Sequence, residues 1–438
     1  MARGQKKLKT FLVSLGCAKN LVDSERLLGS LTALGVVVTE EPQEADLLLV
    51  NTCAFIGPAV EESIETILDL SQNRKTGAKL AVVGCLPSRD LAALKADLPE
   101  ADLLLPRADF DLWPESLARL LNLKAQVAGP FETWERQLSS PPWRAYLKVA
   151  EGCDHHCSYC LIPKLRGPLV NRPLAELVKE ASGLAAQGVL ELTLVAQDLT
   201  AWTHKGLNIA DLADSLSQIE GLKWLRLMYA YPERLNKDMV KRLAKNPKVT
   251  PYLDAPIQHS SPRLLKRMGR YSGDPLVLVK RLREWWPNVA LRTTLMVGFP
   301  GETAADFQLL KDLVTAARFE NLGVFVFEPE AGVAAAKFPD QVPRSLANKR
   351  RQEILKTQKS ISLALNRARI GQFQDILVEG PSEDSPLVMV GRGTFQAPEV
   401  DGLIYFDGTQ PPIGQIARAK ITKARAYDLA ATLDYLND

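Results

Sequence analysis

The 438-residue sequence predicts an α/β protein in three parts: an N-terminal parallel-sheet α/β domain, a central partial (β/α)6 barrel, and a small C-terminal antiparallel β-barrel. Three patterns carry that prediction. Three apolar runs early in the chain each close on a cysteine; strand-like and helix-like runs then alternate over residues 144–330; and the end of the chain is a series of short apolar runs between Gly, Pro and Asp. These patterns place the parts at 8–122, 139–369 and 371–438, with room for a core in each.

In the first part, KTFLVSLGC ends at Cys17, ADLLLVNTC at Cys53 and AKLAVVGC at Cys85. The gaps of 36 and 32 residues suit a strand, a helix and two turns. Helical spacing of apolar residues occupies 20–34 and 58–70, the second behind a proline suited to a first turn. Right-handed crossovers make the strands parallel, so their carboxyl ends share one edge, where ligands of such sheets bind. A single cysteine reads as a small buried hydrophobe. Three at one edge point to a shared thiolate site for a metal ion or an iron-sulfur cluster, and three ligands leave one coordination position open for chemistry.

The basic start MARGQKKLKT precedes an apolar run, 11–15, that is too short for a signal peptide. No run approaches the ~18 apolar residues of a membrane span. A soluble cytoplasmic protein with six reduced cysteines is expected. The balance of 54 Lys and Arg against 51 Asp and Glu excludes a global field for nucleic acid or membrane. Locally the charge divides: residues 342–370 read as a long helix with eight basic residues against Glu353, whereas 371–438 holds five basic and ten acidic residues.

The second part opens with a strand over 144–150 that runs into EGCDHHCSYCLIPKLRG, 151–167. Cys153, Cys157 and Cys160 can wrap one corner of a cubane cluster, giving three irons a thiolate each. His155 and His156 read as loop residues, because a histidine inside this spacing would crowd the thiolates. Further strands are expected at 190–196, 224–229, 252–257, 290–298 and 322–327. Gln197, Asp198, Gln258, His259, Gly298, Gly301 and Glu302 fall at their ends, the edge that carries the active site in βα barrels. His259 reads first as a core or loop histidine. The glycines of LMVGFPGET, 295–303, would let backbone approach a ligand ahead of a helix start.

At the CxxxCxxC segment the chain resembles the radical S-adenosylmethionine enzymes. The resemblance implies a [4Fe-4S] cluster on Cys153, Cys157 and Cys160, whose open iron chelates S-adenosylmethionine and whose electron cleaves it to a deoxyadenosyl radical. It also implies cofactor contacts from Tyr159, Gln197, Gln258, Gly298 and Glu302. The terminal part resembles a TRAM domain. Taken whole, the sequence is similar to the methylthiotransferases, on GCAKNLVDSE (16–25), EGCDHHCSYCLIPKLRG (151–167) and APEVDG (397–402). It is most similar to members that add a methylthio group to the β-carbon of an aspartate in the twelfth small-subunit ribosomal protein. The β-C–H has neither acidity nor a leaving group, so its cleavage requires a radical. The family implies a second, auxiliary [4Fe-4S] cluster on Cys17, Cys53 and Cys85 that holds the sulfur, and a low-potential electron donor. The acidic terminal part suits a basic ribosomal protein better than RNA. A tRNA methylthiotransferase and a non-catalytic iron-sulfur electron carrier are the alternatives. GRGTFQ (391–396) and EPEAGVAA (328–335) depart from the family pattern, where altered substrate contacts are expected.

Overall fold

A computed structural model describes residues 7–123, 136–270, 273–408 and 410–434. Most of the basic start and the end of the third part, 435–438, lie outside the described residues. The chain forms two compact units. The first comprises Met1–Ser139, Tyr146–His156 and Cys160–Arg172; the second comprises Ser140–Ala145, Cys157–Tyr159 and Pro173–Asp438.

The first unit is built on β1 (Lys9–Ser14), β2 (Val37–Val38), β3 (Leu47–Thr52), β4 (Lys79–Gly84) and β5 (Leu103–Pro106), in the order β2-β1-β3-β4-β5. All neighbours are parallel. In register, Leu12 lies beside Leu49, Leu49 beside Ala81, and Ala81 beside Leu103. Leu47, Leu48, Leu49 and Val50 are all fully buried, the continuous apolar run of a strand covered on both faces. Helices Ala18–Ala33 and Trp113–Leu120 contribute Leu27, Leu31, Trp113 and Leu117 to this core, and Phe110 meets Trp113 edge to face at 5.0 Å. Strand order reverses between β1 and β3, which opens the crevice characteristic of such sheets there. The three cysteine-terminated runs are β1, β3 and β4; β2 and β5 flank them.

Residues of β6 (Arg144–Lys148), β7 (Ala150–Glu151) and β8 (Val170–Asn171) follow, β7 and β8 forming a small antiparallel pair. The sequence pattern places everything from 139 to 369 in one part. In the structure, 146–156 and 160–172 belong instead to the first unit, because Lys148, Glu151 and Arg166 are buried with charged residues of the N-terminal segment.

The second unit holds β9 (Glu191–Val195), β10 (Trp224–Leu227), β11 (Val249–Asp254), β12 (Ala290–Val297) and β13 (Asn321–Val326), within a six-stranded sheet ordered β13-β12-β11-β10-β9-β6. The pairs from β9 to β13 are parallel and the sheet stays open, as expected for a partial barrel. After helix Arg344–Arg367 come β14 (Phe373–Ser382), β15 (Ser385–Gly393), β16 (Ile404–Phe406), β17 (Ile416–Ala424) and β18 (Leu429–Leu433), a closed barrel ordered β14-β15-β16-β18-β17. Its pairs are antiparallel except β16 with β18, which run parallel. β18 lies in the weakly patterned run ARAYDLAATL, 424–433, and is the strand of this barrel that the sequence pattern did not reveal.

Within this unit the small barrel is fixed to the large sheet by buried charge. Arg226 on β10 donates to Glu191 on β9 at 2.7 Å and to Thr394 O at 2.8 Å, while Arg392 on β15 reaches Glu191 at 2.6 Å and Glu379. Tyr252 donates to Asp401 at 2.7 Å, and Arg292 pairs with the same carboxylate. The segments GRGTFQ and APEVDG serve this junction: Arg392, Phe395, Gln396 and Ala397 are buried. Three acids of the barrel, Glu379, Glu399 and Asp401, pair with Arg144, Arg292 or Arg392, so its surplus of acids overstates its surface charge. No helix among the described residues is long and apolar enough to cross a membrane.

Candidate functional site

In the first unit, the three strand-end cysteines gather at the β1–β3–β4 edge. Cys17 is the N-cap of helix Ala18–Ala33, Cys53 directly follows β3, and Cys85 opens the short helix Cys85–Arg89. Asn20 joins two of these ends by donating to Leu15 O at 2.8 Å and Thr52 O at 2.9 Å. Thr52 accepts from Leu86 N–H at 3.1 Å and donates to Val83 O at 2.7 Å, which ties in the third. Gly16 has φ +90°, and a Cβ there would lie 2.6 Å from Cys53 Cβ; only glycine lets the Cys17 turn come so near Cys53.

The thiols sense one another and a common cation. Burial pushes the Cys17 thiol up, but Lys19, Arg166 and the N–H groups of Asn20 and Lys19 outweigh it and hold the thiol below its ordinary range. Burial raises Cys53, and the Cys17 charge adds to it against Arg166. Burial pushes Cys85 up to about 11, reinforced by Cys53 and Cys17 and opposed by Arg166, which also hydrogen-bonds it. A bound metal replaces such protons and makes thiolates of all three.

Behind the thiols lies a buried charge network. Asp23 meets Lys148, Arg107 at 3.3 Å and Arg166 at 3.6 Å; Glu151 meets Lys148 and Arg107 at 2.7 Å and Arg166 at 3.0 Å. Arg107 also stacks on Phe110, 4.0 Å from the ring centroid. Three cations thus face two carboxylates. Burial, helped by Arg107 and Arg166, draws Lys148 below its usual range even with both carboxylates in contact, as expected beside surplus positive charge. That surplus suits an anionic thiolate-ligated group at the neighbouring cysteines. No three His, Cys, Asp or Glu side chains among the described residues form a group placed to hold a metal ion. Three cysteines from three separate strand ends, with a buried cation beside them, suit thiolate ligation of a cluster through a separate iron each.

The CxxxCxxC loop is held from its own local contacts. Cys153 N–H donates to Gly167 O at 3.1 Å, and Cys160 Sγ accepts from Ile162 N–H at 3.4 Å, just ahead of helix Ile162–Arg166. In the second unit, Ser158 donates through N–H to Met268 O and through its hydroxyl to Arg267 O, both at 2.9 Å, and accepts from Ala335 N–H at 2.8 Å. EPEAGVAA thus supports the loop from within the fold. Tyr159 accepts from Arg270 at 3.4 Å, and Arg270 lies 4.1 Å from the Tyr231 ring centroid and donates to Pro256 O.

Gln197 follows β9, half-buried, and Gln258 follows β11 with φ +74°, its N–H donating to Thr294 O and its carbonyl accepting from Met296. Asp198 beside them is turned inward to Thr200, Ala201 N–H and Arg234. His259 is fully buried; Nδ1 accepts from Ser260 and Ser261 N–H at 2.9 Å, which places its proton on Nε2 and makes it a core residue. Glu302 is buried as well, its carboxylate accepting from Gly298 N–H and pairing with Arg350 at 3.2 Å. A Cβ on Gly298, φ +75°, would lie 2.5 Å from Ala347 Cβ, so glycine there allows the close approach of helix Arg344–Arg367. Gly298 and Glu302 shape the turn from inside.

Comparison with known proteins agrees with this architecture. Residues 9–106 match the Uncharacterized protein family UPF0004, 147–314 the Radical SAM superfamily, and 370–433 the TRAM domain. Among solved structures, the radical S-adenosylmethionine methyltransferase TsrM from Kitasatospora setae, with cobalamin and a [4Fe-4S] cluster bound, superposes with a TM-score of 0.56 at 18% identity, covering 74% of this chain and 75% of that one. The cobalamin-dependent S-adenosylmethionine radical enzyme OxsB does so at 0.51 and 11%, covering 81% and 58%. These two share the fold. The full-length similarity goes further: the Ribosomal protein uS12 methylthiotransferase RimO of Trichlorobacter lovleyi is 43% identical over 98% of both chains, and that of Myxococcus xanthus 41% over 96% of this chain and 90% of its own. The chain belongs to the RimO family of radical S-adenosylmethionine methylthiotransferases.

Proposed function

We propose that this protein adds a methylthio group to the β-carbon of an aspartate in ribosomal protein uS12, using two [4Fe-4S] clusters and S-adenosylmethionine in the cytoplasm. Cys153, Cys157 and Cys160 hold one cluster and Cys17, Cys53 and Cys85 the other. The observation that carries this reading is the gathering of three sequence-distant cysteines at one sheet edge, in a chain that also bears CxxxCxxC. When bound, these groups supply the electron that cleaves S-adenosylmethionine and the site that holds the sulfur.

The chain's own residues do the rest. Lys19 and Arg166 favour negative charge at the strand-end thiols. Gln197 and Gln258 follow β9 and β11, and Tyr159 lies in the CxxxCxxC loop, the places from which they would contact the cofactor, while Gly298 and Glu302 keep their own turn in shape. A low-potential donor delivers the electron. The acidic residues still exposed on the small barrel, such as Glu383 and Asp384 at the β14–β15 hairpin, suit a basic protein substrate.

Anaerobic reconstitution should load about eight irons per chain, from two clusters of four. Cys17→Ala with unchanged iron content would remove the second cluster. Mass spectrometry of uS12 and of bulk tRNA from cells with and without the gene should find the methylthio group on the protein; finding it on tRNA alone would replace this reading with the tRNA alternative.

A further inference from the structure

We propose that Arg166 is a positioning residue for the Cys17, Cys53 and Cys85 site, fixing the three strand ends and supplying the positive charge that sets the bound cluster's reduction potential. The inference rests on those cysteines holding a cluster. Arg166 closes helix Ile162–Arg166, and its side chain is 2% exposed. One side of the guanidinium is gripped by Glu151 at 3.0 and 3.1 Å and lies 3.6 Å from Asp23. The other donates to Asn20 Oδ1, and Asn20 in turn holds the backbone after β1 and β3, just before Cys17 and Cys53. The chain of contacts therefore runs from carboxylates through Arg166 to the ends that present the thiols.

Charge makes the same assignment. A buried guanidinium needs full anionic compensation. Asp23 and Glu151 are shared with Lys148 and Arg107, so two carboxylates serve three cations. The missing negative charge is what a thiolate-ligated cluster supplies. Nearby net charge and hydrogen bonding are among the determinants of cluster potential.

The test uses the full-length protein carrying Cys153→Ala, Cys157→Ala and Cys160→Ala, so that only the strand-end site can load. About four irons per chain are expected; none would overturn the cluster reading, and the role of Arg166 with it. EPR-monitored redox titration then reads the potential in two further variants. Arg166→Gln removes a cation and should make the cluster harder to reduce, changing the reduced-to-oxidised ratio at fixed potential about tenfold, or ~59 mV. Glu151→Gln removes an anion from the same network and should shift the potential in the opposite direction. General structural damage would move both variants the same way. Equal potentials in all three proteins, or shifts of one sign, would overturn the proposal, and the Glu151→Gln arm decides even if Arg166→Gln does not fold. Arg166→Lys, which keeps the charge but cannot match the planar guanidinium contacts to Asn20 and Glu151, should retain the potential and lose iron faster to a chelator.

Discussion

Each unit of the molecule buries an ion network, and the two differ in balance. In the second unit, Arg226 and Arg392 face Glu191 and Glu379, with Arg144 and Glu399 at the margin: every cation has a carboxylate of its own. In the first, Arg107, Lys148 and Arg166 share Asp23 and Glu151. A balanced network needs nothing further and does the work of a fastener. An unbalanced one is poised for an anion, and here it stands behind three cysteines. The sign and count of buried charge thus separate a structural cluster from one that serves a site, where burial and distance alone would not.

The largest expected effect comes from removing one acid from each. Glu151→Gln and Glu191→Gln should each cost about 3–5 kcal/mol in the iron-free protein, because the first leaves Asp23 alone against three buried cations and the second takes the carboxylate from Arg226. Urea unfolding with and without iron should part them: loading should recover some of the Glu151→Gln loss and none of the Glu191→Gln loss. Equal recovery in both would erase the contrast.

Acid sharpens the balanced side. Burial works to raise the Glu191 carboxyl, yet Arg392 and Arg226 outweigh it and hold it at about 2 against an ordinary 4.5. Its stabilisation is present above pH 4.5 and drains away as pH falls toward 2, a change on the order of 3 kcal/mol. Acid unfolding followed by near-ultraviolet circular dichroism should show this slope, and Glu191→Gln should flatten it.

Two glycines give a smaller contrast. Gly298→Ala meets Ala347 and should lower stability by about 1–3 kcal/mol while iron loading is unaffected. Gly16→Ala meets Cys53 and should instead reduce the iron bound per chain. Iron analysis beside a thermal melt separates the two. The smallest effect is expected at Lys423, which pairs with Asp407 at 3.3 Å on the barrel surface: Lys423→Ala should change the melting free energy by less than about 0.5 kcal/mol.

Much of this was legible in the chain. Runs that end in cysteine announced β1, β3 and β4, and alternation placed β9 to β13 within a few residues. Apolar periodicity works there because parallel strands are buried on both faces. The pairing of β16 with β18 escaped because three- and five-residue strands carry little pattern. The charge network escaped for another reason. Its members lie at 23, 107, 148, 151 and 166, and a charged residue in sequence looks solvated until its partner is known. A local signal was Asn20 and Asp23, three apart on the helix face that leads to Leu27 and Leu31; both polar residues prove buried. The junction role of GRGTFQ and APEVDG was not legible, because their partners Arg226 and Tyr252 lie more than a hundred residues away; here these segments join two layers of the same unit.

The sharing of the 146–172 region between units has a consequence for modularity. A fragment ending near residue 139 would contain the whole five-stranded sheet and all three strand-end cysteines, and by inspection of sequence would pass for an autonomous domain. It would also strand Asp23 without Lys148 and Arg166, leaving Arg107 as its sole remaining partner from the network. The segment that follows the sheet by some tens of residues is part of that domain's folding unit, so recombination between relatives, natural or engineered, should succeed when the crossover falls after Arg172 and fail when it falls in the apparent linker before β6.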